Sequence, residues 1–486
     1  MSFDLSTIAL LIGLAFLYAA VVPPAWRRWC LLLLSLLALY WLQPRLPVRY
    51  GGFLLPLALL SLTIAIWYWF VRGDSERLSR SDGAALGLAV GVTLLLALNR
   101  YLSLPAAIYA VRPPGLELLV PGLLLLGLVV WALGRLKSRW GDWGIPAGIT
   151  FILLLFIIWK SAPLATAVSA VWRGLAGQDM SLAAPLDLAW LGFSYVAFRL
   201  IHTLREKQLG NLPALGLADY LNYVIFFAAL PAGPIDRAER FETDLLVLPT
   251  LERWDARRFR LGLARIATGL AKKFVLADSL ALGLALNPSN ATQVTSTGGL
   301  WLLLYGYALR LYLDFSGYSD IAIGIGLLFG IRLPENFDWP YLQTNLTTFW
   351  QRWHITLSNW VRHYLFTPLS RSLLRRQPRP SPTLIVLVAQ LATMIAIGLW
   401  HGLSWNFLVW GLWHGLGLFI HKQWSDRTRR WYRDLQATTW PRRLWAGLTW
   451  FITFHYVVLG WVWFLLPDLT LAWQTLARLF GLEVSA

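Results

Sequence analysis

Apolar stretches that reach or approach the length of a bilayer crossing recur along almost the whole chain. They leave few alternatives to a helical membrane fold. A crossing helix needs about 17–25 largely apolar residues. Such runs lie at 5–22, 51–71, 84–98, 116–133, 145–158 and 186–201, then at 299–313, 321–331, 383–400, 403–420, 444–466 and 471–482. A shorter run at 29–42 is flanked by tryptophan and tyrosine, as interfacial anchors are. Only 14% of residues are charged, against about 25% in a soluble chain. Backbone polar groups in lipid must be satisfied within the segment. The expectation is therefore an all-α polytopic membrane protein of about 11–12 transmembrane helices, with re-entrant or interfacial helices besides.

The formal net charge of +17 would suggest nucleic acid as a partner of a soluble protein. Here the cations sit in short loops between apolar runs, which fits positive-inside topology and attraction to anionic lipid. Nucleic acid is not an expected partner; the lipid bilayer is. If Arg27 and Arg28 are cytoplasmic, two-crossing steps put the basic loops at 72–80, 135–139 and 202–207 on the same side, and the N-terminus outside. The loops at 371–379 and 422–443 are basic too, and the second is the most basic in the chain. The 5–22 run lacks a basic preceding region and a small-residue cleavage site, so it reads as a retained span. The single cysteine, Cys30, lies in an apolar run and allows no disulfide framework within the chain. No HxxxH or HxxH pair lies inside an apolar span, so no metal site is expected.

One integral membrane domain is expected over 1–486, with N-terminal peripheral spans at 1–185, a core at 186–420, and a basic loop with C-terminal helices at 421–486. The 220–230 run is apolar but too short to cross, and it leads into Pro231-Ala232-Gly233-Pro234, so a re-entrant segment is expected. Lys272 and Lys273 open an apolar run at 269–286, where snorkelling to the cytoplasmic face would suit them.

Ionisable groups concentrate between 313 and 415. At membrane depth such groups usually face a cavity, a partner or a substrate path. On a helical wheel over 345–364, the aromatic residues gather on one face. Thr347, Gln351, His354, Ser358 and Arg362 gather on the other. That polar face suits either a solvated surface helix or the wall of a wet tunnel. His401 sits between Trp400 and Gly402 at the bend of an apolar hairpin. A buried neutral imidazole there suits a general base; a core histidine bonded to a carbonyl is the plainer alternative. His414 is thirteen residues further on and reads as a packing residue. Asp314 and Asp320 read as structural ion-pair partners or as groups orienting a histidine or arginine, for instance Arg310.

Together these segments resemble the membrane-bound O-acyltransferase family, in particular its bacterial branch of alginate O-acetylation and teichoic-acid D-alanylation proteins. The carrying stretches are Tyr312-Leu313-Asp314-Phe315-Ser316-Gly317-Tyr318-Ser319-Asp320, Pro334-Glu335-Asn336-Phe337, Phe349-Trp350-Gln351-Arg352-Trp353-His354 and Gly398-Leu399-Trp400-His401-Gly402. The resemblance implies helices around a central tunnel, with His401 as the essential base and His354 as a second catalytic histidine. His354 would position the acceptor or stabilise developing charge. It implies an acyl thioester donor, acyl-CoA or the phosphopantetheine of an acyl carrier protein, arriving from the cytoplasm, with no tightly bound cofactor. The acceptor would be a hydroxyl of an exported glycopolymer, met directly or through an accessory acyl-transfer protein. The setting would be the bacterial cytoplasmic membrane. Gln351, Trp353, Ser358, Trp400 and Asn406 are the expected substrate contacts, with Asp314, Asp320 and Arg352 as orienting residues. The rival from another class is a non-catalytic channel or flippase for a polymer or lipid-linked sugar. The chain departs from the alginate pattern at His363 and at Ser370-Arg371-Ser372, which leaves acyl group and acceptor open.

Overall fold

The computed structural model describes residues 4–72, 78–102, 113–135 and 140–482. The expected basic residues Lys137 and Arg139, and most of the 72–80 loop, lie outside the described residues. Among the described residues the fold is helical. Its only extended pairing is an isolated antiparallel bridge between Phe337 and Trp353. Among the described residues, five helices are long and apolar enough to cross a membrane: Gly51–Val71, Arg80–Leu102, Leu116–Arg135, Pro382–His401 and Thr439–Leu465. Gly144–Lys160 and Ala162–Leu175, bent by 90° at their junction, make a sixth if taken as one broken span. With this many apolar helices the chain is a multi-pass membrane protein.

Other expected spans take different forms. Leu5–Val21 and Arg27–Trp41 are helices of 17 and 15 residues. The 186–201 run starts its helix late, at Phe193, because Pro185–Leu188 forms a 3₁₀ turn and Gly192 adopts φ 80°. That helix runs on to Leu209, so His202, Arg205 and Lys207 lie within it and not in a loop. The 299–313 and 321–331 runs are not separate spans. They merge into one helix of 32 residues, Thr297–Leu328, with the acidic stretch inside it. No break is needed because Asp314 pairs with Lys273 and Asp320 with Lys272. The two lysines therefore pair with acids within the protein, Asp320 buried and Asp314 partly exposed. They lie on a π-helical turn, Ala271–Ala277. Just before it, Gly269 meets Gly317 so closely that a Cβ on either would come within 2.5–2.8 Å of the other's carbonyl oxygen.

The chain forms two compact units, Met1–Ile266 with Ala322–Leu333, and Ala267–Ile321 with Pro334–Ala486. In the first, the 220–230 stretch is a short helix, Leu217–Val224, and a 3₁₀ turn, Phe227–Ala229, buried throughout. Its freed carbonyls are capped by the buried Arg199, which donates to Val224 O at 2.8 Å and Ala229 O at 2.9 Å. Non-helical backbone is tolerated in an apolar interior when its polar groups are satisfied in this way. In the second, Pro382–His401 and Trp405–Arg427 form the expected hairpin. Ser381 and Ser404 cap the two helix starts through their hydroxyls.

Candidate active site

His401 is the last residue of its helix and is half-buried. Gly402, Leu403 and Ser404 make the turn of the hairpin, and Ser404 caps the second helix, which starts at Trp405. The imidazole sits among four rings: Trp400 at 4.5 Å between centroids, Phe464 at 4.7 Å, Trp410 at 5.8 Å and Phe407 at 5.9 Å. The Trp400 ring also meets His354, at 6.1 Å. One indole thus touches both imidazoles, which lie no further apart than those two separations end to end.

The 345–364 segment is not one helix. Leu346–Arg352 and Ile355–Val361 are separate seven-residue helices, joined at an elbow where His354 adopts φ 44°. Left-handed backbone is costly for a non-glycine residue and persists only where neighbours over-determine it. The over-determining group is Asn336. Its backbone oxygen accepts from Ile355 N at 2.9 Å. Its Oδ1 accepts from Thr356 N at 3.3 Å and Thr356 Oγ1 at 2.8 Å, and its Nδ2 donates to Ser319 Oγ at 3.3 Å. His354 Nδ1 lies 3.1 Å from the same Oδ1. The ring is buried, with Phe315 edge-on at 4.8 Å, and its Nε2 has no hydrogen-bond partner among the described residues. Outside any candidate span, burial pushes its pKa down to about 3, so the imidazole is neutral.

The polar face read from the sequence survives the break in part, since His354 leaves it for the elbow. Thr347, Gln351, Ser358 and Arg362 line a cavity of about 180 Å³. Trp350 and Gln390 line it too, and both bring buried polar atoms without partners among the described residues: the Trp350 Nε1–H donor and the Gln390 Oε1 acceptor.

The other expected residues fall elsewhere. Trp353 is buried in an aromatic stack with Phe349, Phe337 and Trp461. Asn406 is buried and donates to Leu466 O at 2.8 Å, tying the hairpin to the chain end of Thr439–Leu465. Arg352 pairs with Asp338 at the surface. Asp314 pairs with Lys273 rather than Arg310. His414, expected to pack, is fully buried against Trp410 at 4.9 Å and Trp350 at 5.2 Å. Because the hairpin turns after His401, the two histidines contact the same indole, Trp410, instead of lying along one helix.

Sequence reasoning assigned no role to Asn336, Trp350, Gln390 or Phe464. Asn336 stood inside a quoted motif, but eighteen residues from the elbow it holds, and no periodicity links the two. The orphaned atoms of Trp350 and Gln390 are visible only in three dimensions.

Known proteins are similar to this chain in sequence. The model of the family described as MBOAT, membrane-bound O-acyltransferase family, matches residues 148–466. The probable alginate O-acetylase AlgI of Pseudomonas aeruginosa is 37% identical over 60% of this chain and 51% of its own length. The peptidoglycan O-acetyltransferase of Helicobacter pylori is 37% identical over 65% of this chain and 60% of its own. The teichoic acid D-alanyltransferase of Streptococcus thermophilus is 33% identical over 56% and 67%. The chain thus spans little more than half the length of the first of these. On a match across two histidine-bearing segments and most of the described helices, the chain belongs to the membrane-bound O-acyltransferase family.

Proposed function

We propose that this protein is an O-acyltransferase that moves a small acyl group from a thioester to a hydroxyl of a cell-surface glycopolymer. The observation that carries the reading is the pair of imidazoles, His401 and His354, in contact with one indole, Trp400. In the proposed step His401 takes the hydroxyl proton, and the oxygen attacks the thioester carbonyl carbon. The carbon–sulfur bond then breaks, and the leaving thiolate takes the proton back from the imidazolium. The three relatives are named for acetyl or D-alanyl transfer to alginate, peptidoglycan or teichoic acid, which supports a small acyl group and a glycopolymer acceptor. Their bacterial origin supports the cytoplasmic membrane as the setting. Mass spectrometry of surface polymers from cells with the active protein should show an acyl ester that is missing with His401→Gln. Ester retained in that variant would point to a channel or flippase.

The donor is proposed to enter at the cavity beside Gln351 and Ser358. Its orphaned Trp350 N–H and Gln390 oxygen complement the C=O and N–H of an amide, such as those of a phosphopantetheine arm. The exposed cations Arg427, Arg429, Arg430, Arg433, Arg442 and Arg443 suit an acidic carrier protein or coenzyme A phosphates. Gln390→Leu should raise the donor KM about 10-fold or more, because a site built to hydrogen-bond an amide loses that partner. It should leave thermal stability unchanged, since Oε1 has no bond to lose among the described residues. An unchanged donor KM would dismiss the cavity as the entry site.

A further inference from the structure

The proton on His354 can be located from its neighbours. A backbone N–H can only donate, so the Thr356 amide fixes which end of the Asn336 side chain is oxygen. The Asn336 Nδ2 accordingly faces a hydroxyl, Ser319 Oγ. The Oδ1 that faces His354 Nδ1 is therefore an acceptor, and Nδ1 must carry the hydrogen. A neutral imidazole has one N–H, which leaves Nε2 bare. That bare nitrogen is buried and lacks a partner among the described residues, and such an atom calls for an explanation.

We infer that Asn336 is a positioning residue that locks His354 as the Nδ1–H tautomer, so that His354 presents Nε2 as a hydrogen-bond acceptor to the substrate's hydroxyl. The second half rests on the acyl-transfer reading. An amide in this place differs from the aspartate that backs the base histidine of serine proteases, which also stabilises the imidazolium. Asn336 fixes orientation and tautomer without adding negative charge. His354 is thereby suited to receive a hydrogen bond and not to hold a full proton. The proton-taking role stays with His401, and the two imidazoles divide the work on one hydroxyl. Nor can neutral His354 donate through Nε2 to a developing oxyanion, the alternative role that the family resemblance left open.

The test uses the full chain, reconstituted in lipid and labelled with ¹⁵N at its imidazoles. The His354 resonances are assigned by their loss in His354→Gln. Wild type should show hydrogen on Nδ1 and a bare Nε2. Asn336→Asp keeps an acceptor oxygen and should keep that tautomer. Asn336→Leu should shift the proton to Nε2, and its acceptor KM should rise about 10-fold or more with the donor KM unchanged. Asn336→Leu also loses bonds to Ser319 and Thr356, so Ser319→Ala serves as the structural control and should leave the tautomer alone. Hydrogen on Nε2 in wild type, or an unmoved tautomer in a folded Asn336→Leu protein, would overturn the lock. A wild type inactive in transfer but protonated at Nδ1 would uphold the lock and overturn the enzyme reading separately.

Discussion

His401→Gln should reduce acyl transfer by about 10²–10⁴-fold, the range that a positioned general base contributes, while the protein stays folded. Glutamine is the better replacement than alanine here. The imidazole fills space among Trp400, Phe407, Trp410 and Phe464, and an emptied site among four rings would confuse lost chemistry with lost packing. The amide keeps much of the volume and cannot accept a proton at neutral pH. The measurement is transfer from a radiolabelled acyl thioester to purified polymer, with thermal unfolding alongside. Loss should appear in kcat with little change in either KM, because the proton is moved only in the transition state. A His401→Gln protein that is folded and retains more than about a tenth of wild-type turnover would remove the base from His401. His354→Gln should behave differently. If His354 holds the hydroxyl as acceptor, its loss should raise the acceptor KM and lower kcat together, and the double variant should be little worse than His401→Gln alone.

Hydropathy gave much of the fold because bilayer thickness sets helix length. The expected 51–71 run coincides with the Gly51–Val71 helix, and the 383–400 and 403–420 hairpin turns where His401 was expected. The failures have one physical origin: polar groups whose partners are remote in sequence. Asp314 and Asp320 looked like a gap between two spans, yet Lys273 and Lys272 neutralise them and the helix runs on unbroken for 32 residues. The 345–364 wheel placed Gln351, Ser358 and Arg362 on the face that lines a cavity, so the periodicity was informative. It could not show that Asn336 captures the amides of Ile355 and Thr356 and splits the helix at His354. Asn406 illustrates the converse. A polar residue beside the hairpin looked like a substrate contact, but its amide is used to hold Leu466 O.

Gly398→Val should be the most damaging single substitution in the hairpin, and the reason is backbone against backbone. Gly398 sits one turn before His401, and any Cβ there would fall within the van der Waals envelope of the Phe407 carbonyl oxygen on the returning helix, with the Trp410 ring 3.4 Å away. On that returning helix, Gly411 approaches the first helix as closely: a Cβ at that position would lie 2.7 Å from Met394 O and 2.8 Å from Ile395 Cα. Helices in lipid associate through such close approach, since burial of apolar surface gives no net drive there. A flexible side chain could yield to an added methyl group, whereas a carbonyl in a helix can yield only by moving the helix. Overpacking of this kind costs about 1–3 kcal/mol and occasionally more, and valine against a carbonyl belongs at the upper end. Part of that strain would be relieved by splaying the hairpin at its turn, which carries His401 away from Trp410 and Phe464. A displacement of about 1 Å in a reacting group can cost 10²-fold in rate. Gly398→Ala should therefore remain folded but lose transfer by a factor of about 10–100, and Gly398→Val should lose the monodisperse protein itself. Gly447, in Thr439–Leu465, has nothing within 4 Å of the corresponding position, so Gly447→Ala should be neutral or slightly stabilising. Fluorescence-detected size exclusion over a temperature series reads the stability order, and the labelled-thioester assay reads transfer. If Gly398→Ala matched Gly447→Ala in both, close helix approach would not be what sets His401 in place.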